Sequence, residues 1–246
     1  MKEVRFFYVP DVEPAGELPS QEAGHALRVL RLSAGDEMML MDGCGMFYRA
    51  EVASVAPRRC YYKVVEELPQ QRLWRGHLHL AVAPTKTMER MEWLAEKATE
   101  IGFDEMSLVD CQFSERHVVK TERLEKIVIS AVKQSRKAWK PQLNGVTPLR
   151  QFISSSGGGR KYIAHCHNQI PRLSLFAELQ KPSASADATV LIGPEGDFSI
   201  DEVRQAMDAG FESVDLGPSR LRTETAALSA VMMMQLCAVE KTLKKR

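Results

Sequence analysis

Twice in the C-terminal part of the chain a short apolar run breaks at a Gly-Pro and then passes into a helical pattern. The first run is Thr189-Val190-Leu191-Ile192 before Gly193-Pro194, and the second is Ser213-Val214-Asp215-Leu216 before Gly217-Pro218. Strand, turn and helix repeated in that order point to a parallel α/β sheet, with each turn at the carboxyl end of a strand. Open α/β sheets bind ligands at such ends. Only about one β-α unit separates the two turns, so both can wall a single pocket.

The first turn continues as Glu195-Gly196-Asp197-Phe198-Ser199. Gly193 and Gly196 are expected to let the backbone bend and a ligand approach closely, and Pro194 stiffens the bend between them. Ser199 with Glu202 three residues on forms a capping box, which predicts a helix over 200–209 closed by Gly210. Glu195 stands on the loop, within reach of water or a ligand.

The second turn runs Ser219-Arg220-Leu221-Arg222-Thr223-Glu224. Arg220 and Arg222 flank Leu221, so in extended backbone their guanidinium groups share a side. Thr223 is expected to cap a long helix over 224–242, with Ala227, Leu228, Val231, Met234 and Leu236 among its apolar positions. The free N–H groups and positive dipole end of its first turn suit an anionic or carboxylate-bearing ligand.

Upstream of Leu78 the pattern is different. Residues 38–41 and 47–52 alternate around Asp42-Gly43 as a hairpin, 60–65 read as a further strand, and a helix is predicted around 20–30. From Leu78 onward strands are predicted at 78–83, 105–110, 161–166, 189–193 and 213–217. Helices are predicted at 86–101, 121–137, 172–180, 200–209 and 224–242. This alternation implies a parallel sheet covered on both faces. In the helix over 86–101 the apolar stripe Met88, Met91, Leu94, Ala98 and Ile101 faces the core, and Glu92 and Glu96 face solvent. Ser154 to Arg160 reads as a surface loop. No Gly-x-Gly-x-x-Gly follows the first strand, which argues against a Rossmann-type enzyme.

The 246 residues could form one large domain or two smaller ones. Five scattered cysteines without a Cys-x-x-Cys pair suggest neither a disulfide framework nor a zinc knuckle. No 18-residue apolar run and no signal-peptide pattern are present, so a cytoplasmic, membrane-free protein is expected. His165 and His167 would share a face of a strand, but spacing offers no third ligand, so no metal is expected and a place beside the pocket is preferred. A net charge of +1 argues against an indiscriminate polyanion binder. The charge is nonetheless unevenly spread: Arg116, Lys120, Arg123, Lys126, Lys133, Arg136, Lys137 and Lys140 lie between 114 and 140 against three glutamates. That local excess suits nucleic acid.

Taken together, the two turns resemble the signature of the RsmE family, the 16S rRNA (uracil-N3)-methyltransferases of the SPOUT superfamily. Further matches cover nearly the whole chain: Arg5-Phe6-Phe7, His25 to Arg31, Gly35-Asp36, Lys86 with Glu89 to Glu92, Lys97 to Gly102, Ser114-Glu115-Arg116 and Gln134-Ser135. The chain departs from the family at three places. Asp197 stands where a second glycine is usual, Arg136-Lys137 follows Gln134-Ser135 where Gly-Arg is usual, and Ser219-Arg220 precedes Leu221.

The resemblance implies a small N-terminal PUA-like RNA-binding β-barrel over 1–72 and a SPOUT methyltransferase domain over 73–246, the latter a parallel sheet whose last segments form a trefoil knot. It implies S-adenosyl-L-methionine as cofactor, held by loops at 164–168, 191–199 and 216–226, with Leu191, Gly193, Glu195, Gly196, Leu216, Gly217, Leu221, Arg222 and Thr223 as binding residues. The implied substrate is 16S rRNA within the small ribosomal subunit, at uridine 1498 in rRNA numbering. The implied assembly is a homodimer whose partner completes the site. Arg222 is expected to stabilise the developing uracil anion, and Glu195 or Glu224 to accept the N3 proton. Arg28, Arg31, Arg116, Lys133, Arg136 and Lys137 are expected to contact RNA. Two other readings are a SPOUT methyltransferase acting on tRNA and a non-catalytic RNA-binding or ribosome-assembly factor. The intact Gly193-Pro194-Glu195-Gly196 and Arg222 to Ala226 runs speak against the latter.

Overall fold

In the computed structural model, which describes residues 5–182 and 185–243, the chain divides into two compact units. The first comprises residues up to Arg72 together with Ile129–Lys140, and the second Leu73–Val128 with Pro141 onward.

The first unit contains β1 (Phe6–Tyr8), β2 (Ala15–Glu17), α1 (Ser20–Arg28), β3 (Glu37–Met41), β4 (Met46–Ala56) and β5 (Arg59–Pro69). Its sheet order is β1-β3-β4-β5-β2, with β1 parallel to β3 and the other pairs antiparallel. Phe7, Leu18, Ala26, Met38, Leu40, Val52 and Tyr62 form its core. The hairpin expected at Asp42-Gly43 is present: Asp42 Oδ1 accepts the N–H groups of Cys44 and Met46 at 2.6 and 3.1 Å. Residues 138–140 belong here because they pair with that hairpin's tip. Cys44 bridges Trp139, Gly45 N–H donates to Ala138 and Lys140 N–H to Gly43. A cut in the linear sequence cannot show such pairing.

In the second unit the chain runs β6 (Leu78–Val82), α2 (Met88–Ile101), β7 (Glu105–Asp110), α3 (Thr121–Gln134, its last turns grouped with the first unit), β8 (Gln142–Pro148) and α4 (Leu149–Ser155). It continues through β9 (Arg160–Ala164), β10 (Leu173–Ser174), α5 (Leu175–Gln180), β11 (Ala188–Ile192), α6 (Ile200–Asp208), β12 (Glu212–Asp215) and α7 (Thr223–Leu243). Among the described residues the strands form one sheet in the order β10-β12-β9-β11-β6-β7-β8, with every pair parallel. Helices α2, α5 and α7 pack together over one face, α7 resting on β6 and β11, while α4 and α6 cover the other. From β6 the chain moves outward to β7 and β8; it then returns beyond β11, which inserts between β6 and β9. Successive connections therefore leave the middle of the sheet in opposite directions, the arrangement that opens a crevice at strand carboxyl ends.

Several elements differ from expectation. β8 was not anticipated because it is an edge strand with no buried residue and contains Gly145 and Pro148, so it lacks apolar alternation. The helix expected at 172–180 starts later, after Leu173 and Ser174 pair with β12. Ser154 and Ser155 close α4, whose Leu149, Phe152 and Ile153 are buried. Glu92 is partly buried and pairs with Arg123 rather than facing solvent. Leu236 of α7 is 54% exposed, although Ala227, Val231 and Met234 are buried as expected.

Candidate functional site

At the carboxyl ends of β9, β11 and β12 lies a cleft of about 1260 Å³. Residues 164–167 form one wall, 192–195 with Asp197 a second, and 215–223 a third, with Arg90, Arg172 and Ala226 completing the lining. The two turns singled out from sequence thus face one cavity.

Asp197 N–H donates to the Pro194 carbonyl at 3.0 Å and closes the first turn. The positive φ of this turn falls at Asp197 (67°), at neither Gly193 nor Gly196. The two glycines are instead required for space. A Cβ on Gly193 would lie 3.0 Å from the Phe198 ring, and one on Gly196 would lie 3.0 Å from Phe113 Cβ. Gly196 faces Phe113 and is not part of the lining, and Leu191 is buried in the core beside Ile163 and Phe198. Both therefore stand behind the cleft wall in this structure. The capping box is formed as expected: Ser199 Oγ accepts from Glu202 N–H, and Glu202 Oε2 accepts from Ser199 N–H at 2.8 Å.

In the second turn Gly217 has φ 114°, which a residue with a Cβ rarely adopts, and its N–H donates to Asp215 Oδ1 at 3.0 Å. The carbonyl of Arg222 accepts the first helical bond of α7, from Ala226 N–H at 2.8 Å. Arg222 is thus the N-cap, and Thr223 the first helical residue rather than the cap. Leu216, Gly217, Arg220, Leu221, Arg222 and Thr223 all line the cleft. Thr223 is buried and Arg222 is exposed.

The two carboxylates proposed from sequence separate. Glu195 is exposed and lines the cleft, its Oε1 accepting Lys86 N–H at 3.0 Å. Glu224 is 7% exposed and outside the lining; its Oε1 lies 3.6 Å from Arg90 Nε, and its Oε2 is buried without a hydrogen-bond partner. Glu224 is thus a buried neighbour of Arg90, and Glu195 is the carboxylate on the cleft wall. Arg90, Arg172, Asp197 and Asp215 line the cleft without having been singled out. Arg90 comes from the distant α2, inside the Glu89 to Glu92 match, which carried no assignment to the cleft. Asp197 was visible as an unusual residue in the first turn.

His165 and His167 also face the cleft. Ser213 Oγ donates to the Pro171 carbonyl, so it accepts from His165 Nε2–H at 2.8 Å; His165 Nδ1 in turn accepts His167 N–H at 3.2 Å. This pattern requires a neutral imidazole. Burial pushes the His165 pKa down to about 4, against the opposing pull of Asp197. His167 Nε2–H donates to the Phe198 carbonyl at 2.7 Å. Among the described residues no group of three or more His, Cys, Asp or Glu is placed to hold a metal ion.

The basic residues divide too. Arg28, Arg31 and Arg136 are exposed and Lys137 is half-buried. Lys133 is tied at 2.6 Å to the buried Glu22. Arg116 donates to the carbonyls of Thr85 and Lys86. Lys133 and Arg116 thus each have a structural partner within the fold. Arg136 has φ 52° and lies 5.6 Å from the Phe6 ring centroid.

This α/β sheet with its three-loop cleft belongs to the class of RNA methyltransferases. The family model described as RNA methyltransferase domain matches residues 72–235, and that described as RNA methyltransferase PUA domain matches 18–65. A relative from Aquifex aeolicus named ribosomal RNA small subunit methyltransferase E is 31% identical over 215 residues, covering 84% of this chain and 88% of the relative. The crystal structure of a probable rRNA-methyltransferase from Porphyromonas gingivalis is 42% identical with a TM-score of 0.89, covering 97% of this chain and 100% of that one. A ribosomal RNA small subunit methyltransferase E from Neisseria gonorrhoeae, solved bound to S-adenosyl methionine, is 27% identical with a TM-score of 0.83, covering 95% of this chain and 98% of that one. The chain belongs to the ribosomal RNA small subunit methyltransferase E family.

Proposed function

We propose that this protein methylates N3 of a uracil in the 16S rRNA of the small ribosomal subunit, using S-adenosyl-L-methionine. The observation that carries this reading is the convergence of the loops after β9, β11 and β12 on one cleft, in a chain of this family. The residues present fit the cofactor. Ile192, Pro194, Leu216 and Leu221 offer apolar wall for a purine, and Gly193 keeps the backbone of that wall close on the buried Phe198 ring. The free N–H groups at the start of α7, with Arg90, suit a carboxylate. Gly193, Glu195, Leu216, Gly217, Leu221, Arg222 and Thr223 form the proposed binding set.

When bound, the cofactor supplies a methyl group activated by a sulfonium. The uracil N3 must give up its proton as the nitrogen becomes nucleophilic, and negative charge then spreads over the ring. Arg222, exposed on the wall at the α7 N-terminus, stabilises that charge together with the dipole of the helix. Glu195, on the wall and bonded through one oxygen only to Lys86 N–H, accepts the N3 proton. Glu224 positions Arg90 instead. N3 lies on the Watson–Crick edge, so the target base must be unpaired or extruded.

Residues 1–72, as a PUA-like barrel, grip the surrounding RNA through Arg28 and Arg31, with Arg116, Lys133, Arg136 and Lys137 as further contacts, and residues 73–246 act as a SPOUT domain with a trefoil knot. The PUA domain model matched over residues 18–65 supports the first assignment, and the family signature in the two turns supports the second. A homodimer is supported by the exposed Trp93 of α2 and Met232 and Leu236 of α7. Work in the cytoplasm goes with the proposed rRNA substrate; among the described residues no helix is long and apolar enough to cross a membrane.

The test is transfer of labelled methyl from S-adenosyl-L-methionine to small subunits lacking the modification, with the nucleoside identified by mass spectrometry. 3-Methyluridine at a single site is expected. Label in tRNA, or at another position of the rRNA, would replace the substrate; no transfer and no cofactor binding would leave an RNA-binding factor.

A further inference from the structure

We infer that Asp197 is a positioning residue that clamps two walls of the cleft together and thereby sets the shape that holds the cofactor. This rests on the methyltransferase reading of the same cleft. Asp197 stands in the left-handed region, φ 67°, which aspartate tolerates better than most residues. Its Oδ1 accepts Phe198 N–H at 2.8 Å and its Oδ2 accepts Cys166 N–H at 2.8 Å, while its own N–H closes the turn onto Pro194.

One carboxylate therefore joins the loop after β11 to the loop after β9. A second tie runs beside it, from His167 Nε2–H to the Phe198 carbonyl at 2.7 Å. Phe198 is fully buried, with its ring against the space that Gly193 leaves open. The clamp thus fixes Phe198, Gly193 and Cys166 relative to one another, and Gly193 and Cys166 are both wall residues. A glycine at 197 would adopt the same φ without strain but would offer no acceptor to Cys166 or Phe198. Asparagine also tolerates the conformation. Its side chain has one acceptor oxygen, so its amide nitrogen would meet an N–H donor where the second carboxylate oxygen now accepts.

These two variants separate positioning from folding, because neither strains the backbone. In calorimetric titrations with S-adenosyl-L-methionine and with S-adenosylhomocysteine, Asp197→Gly is expected to bind both about tenfold or more weakly, as befits the loss of charge-assisted bonds that hold the walls. Asp197→Asn is expected not to restore binding. Amide exchange at Cys166 should accelerate in both variants while exchange at Leu191, in the core strand, stays as slow as in the wild type. In turnover with saturating RNA, KM for the cofactor should rise with kcat little changed. Binding within about twofold of wild type in Asp197→Gly, or unchanged exchange at Cys166, would overturn the inference. Weak binding that comes with faster exchange at Leu191 would also overturn it, since the fold and not the clamp would have failed. If the wild type itself binds neither ligand, the methyltransferase reading fails instead.

Discussion

The loop after β11 and the loop after β12 share an opening Gly-Pro and serve the same cleft, yet they are built in opposite ways. The first buries Gly193, Pro194 and Phe198, and it is hydrogen-bonded outward to Lys86 and Cys166. Glu202, at the start of the helix it feeds, also accepts Gln112 N–H at 2.7 Å. The second leaves Gly217 to Arg220 exposed, and Gly217 bonds only two residues back, to Asp215. One helix starts with a complete capping box, the other with an arginine at its N-cap. Burial and cross-links make the first loop a fixed wall. Exposure leaves the second open to solvent, and an arginine, a poor capping residue, stands at the N-cap of its helix.

Truncation of Phe198 should break this comparison most severely. Phe198→Ala removes a fully buried ring from beneath Gly193 and is expected to cost about 3–5 kcal/mol in urea unfolding, with cofactor binding lost. A cost under about 1 kcal/mol would mean the first loop is not held by its core. Next in size, Arg222→Ala should lower the methyl-transfer rate about 10²–10³-fold, with melting temperature little changed and cofactor affinity falling far less than the rate. Equal loss of rate and affinity would remove Arg222 from charge stabilisation.

His165, at the edge of the fixed wall, gives a pH signature. In the unfolded chain a histidine takes up its proton near the ordinary 6.5, but buried His165 does so only at about 4. Between those values the unfolded state binds more protons, so stability falls as pH drops from 6.5 toward 4. The melting temperature should therefore decline from pH 7 to pH 5, and His165→Gln should flatten that decline. An unaltered slope in the variant would place the titration elsewhere.

The smallest effects concern the caps. Ser199→Ala should destabilise by about 1 kcal/mol, and Arg222→Ser, which supplies a cap where none exists, should stabilise by a similar amount while still losing rate. Retained activity in Arg222→Ser would show that the arginine does not serve catalysis.

Much of the site was legible where chemistry is local. The capping box Ser199–Glu202, the Gly210 stop and strands such as 105–110 depend on neighbours a few residues apart, and each stands where periodicity placed it. The partners of Glu224 and Arg116, namely Arg90 and the Thr85–Lys86 carbonyls, were not legible because they lie far away along the chain. The departures from the family at 136 and 197 carried information of another kind. Both residues sit at positive φ, where the glycine usual in the family would be at ease.

The sequence by itself determined the alternation of strands and helices, the two turns and the family to which their residues belong, because hydrophobic period, caps and turn residues act over a few positions. Tertiary structure decided which partner each charge meets. Lys133 and Arg116 look no different in the sequence from other basic residues of the chain; the buried carboxylate of Glu22 and the carbonyls of Thr85 and Lys86 are what draw them inward. Ion pairs and cross-strand contacts depend on distance in space, and the order in which the strands assemble sets those distances.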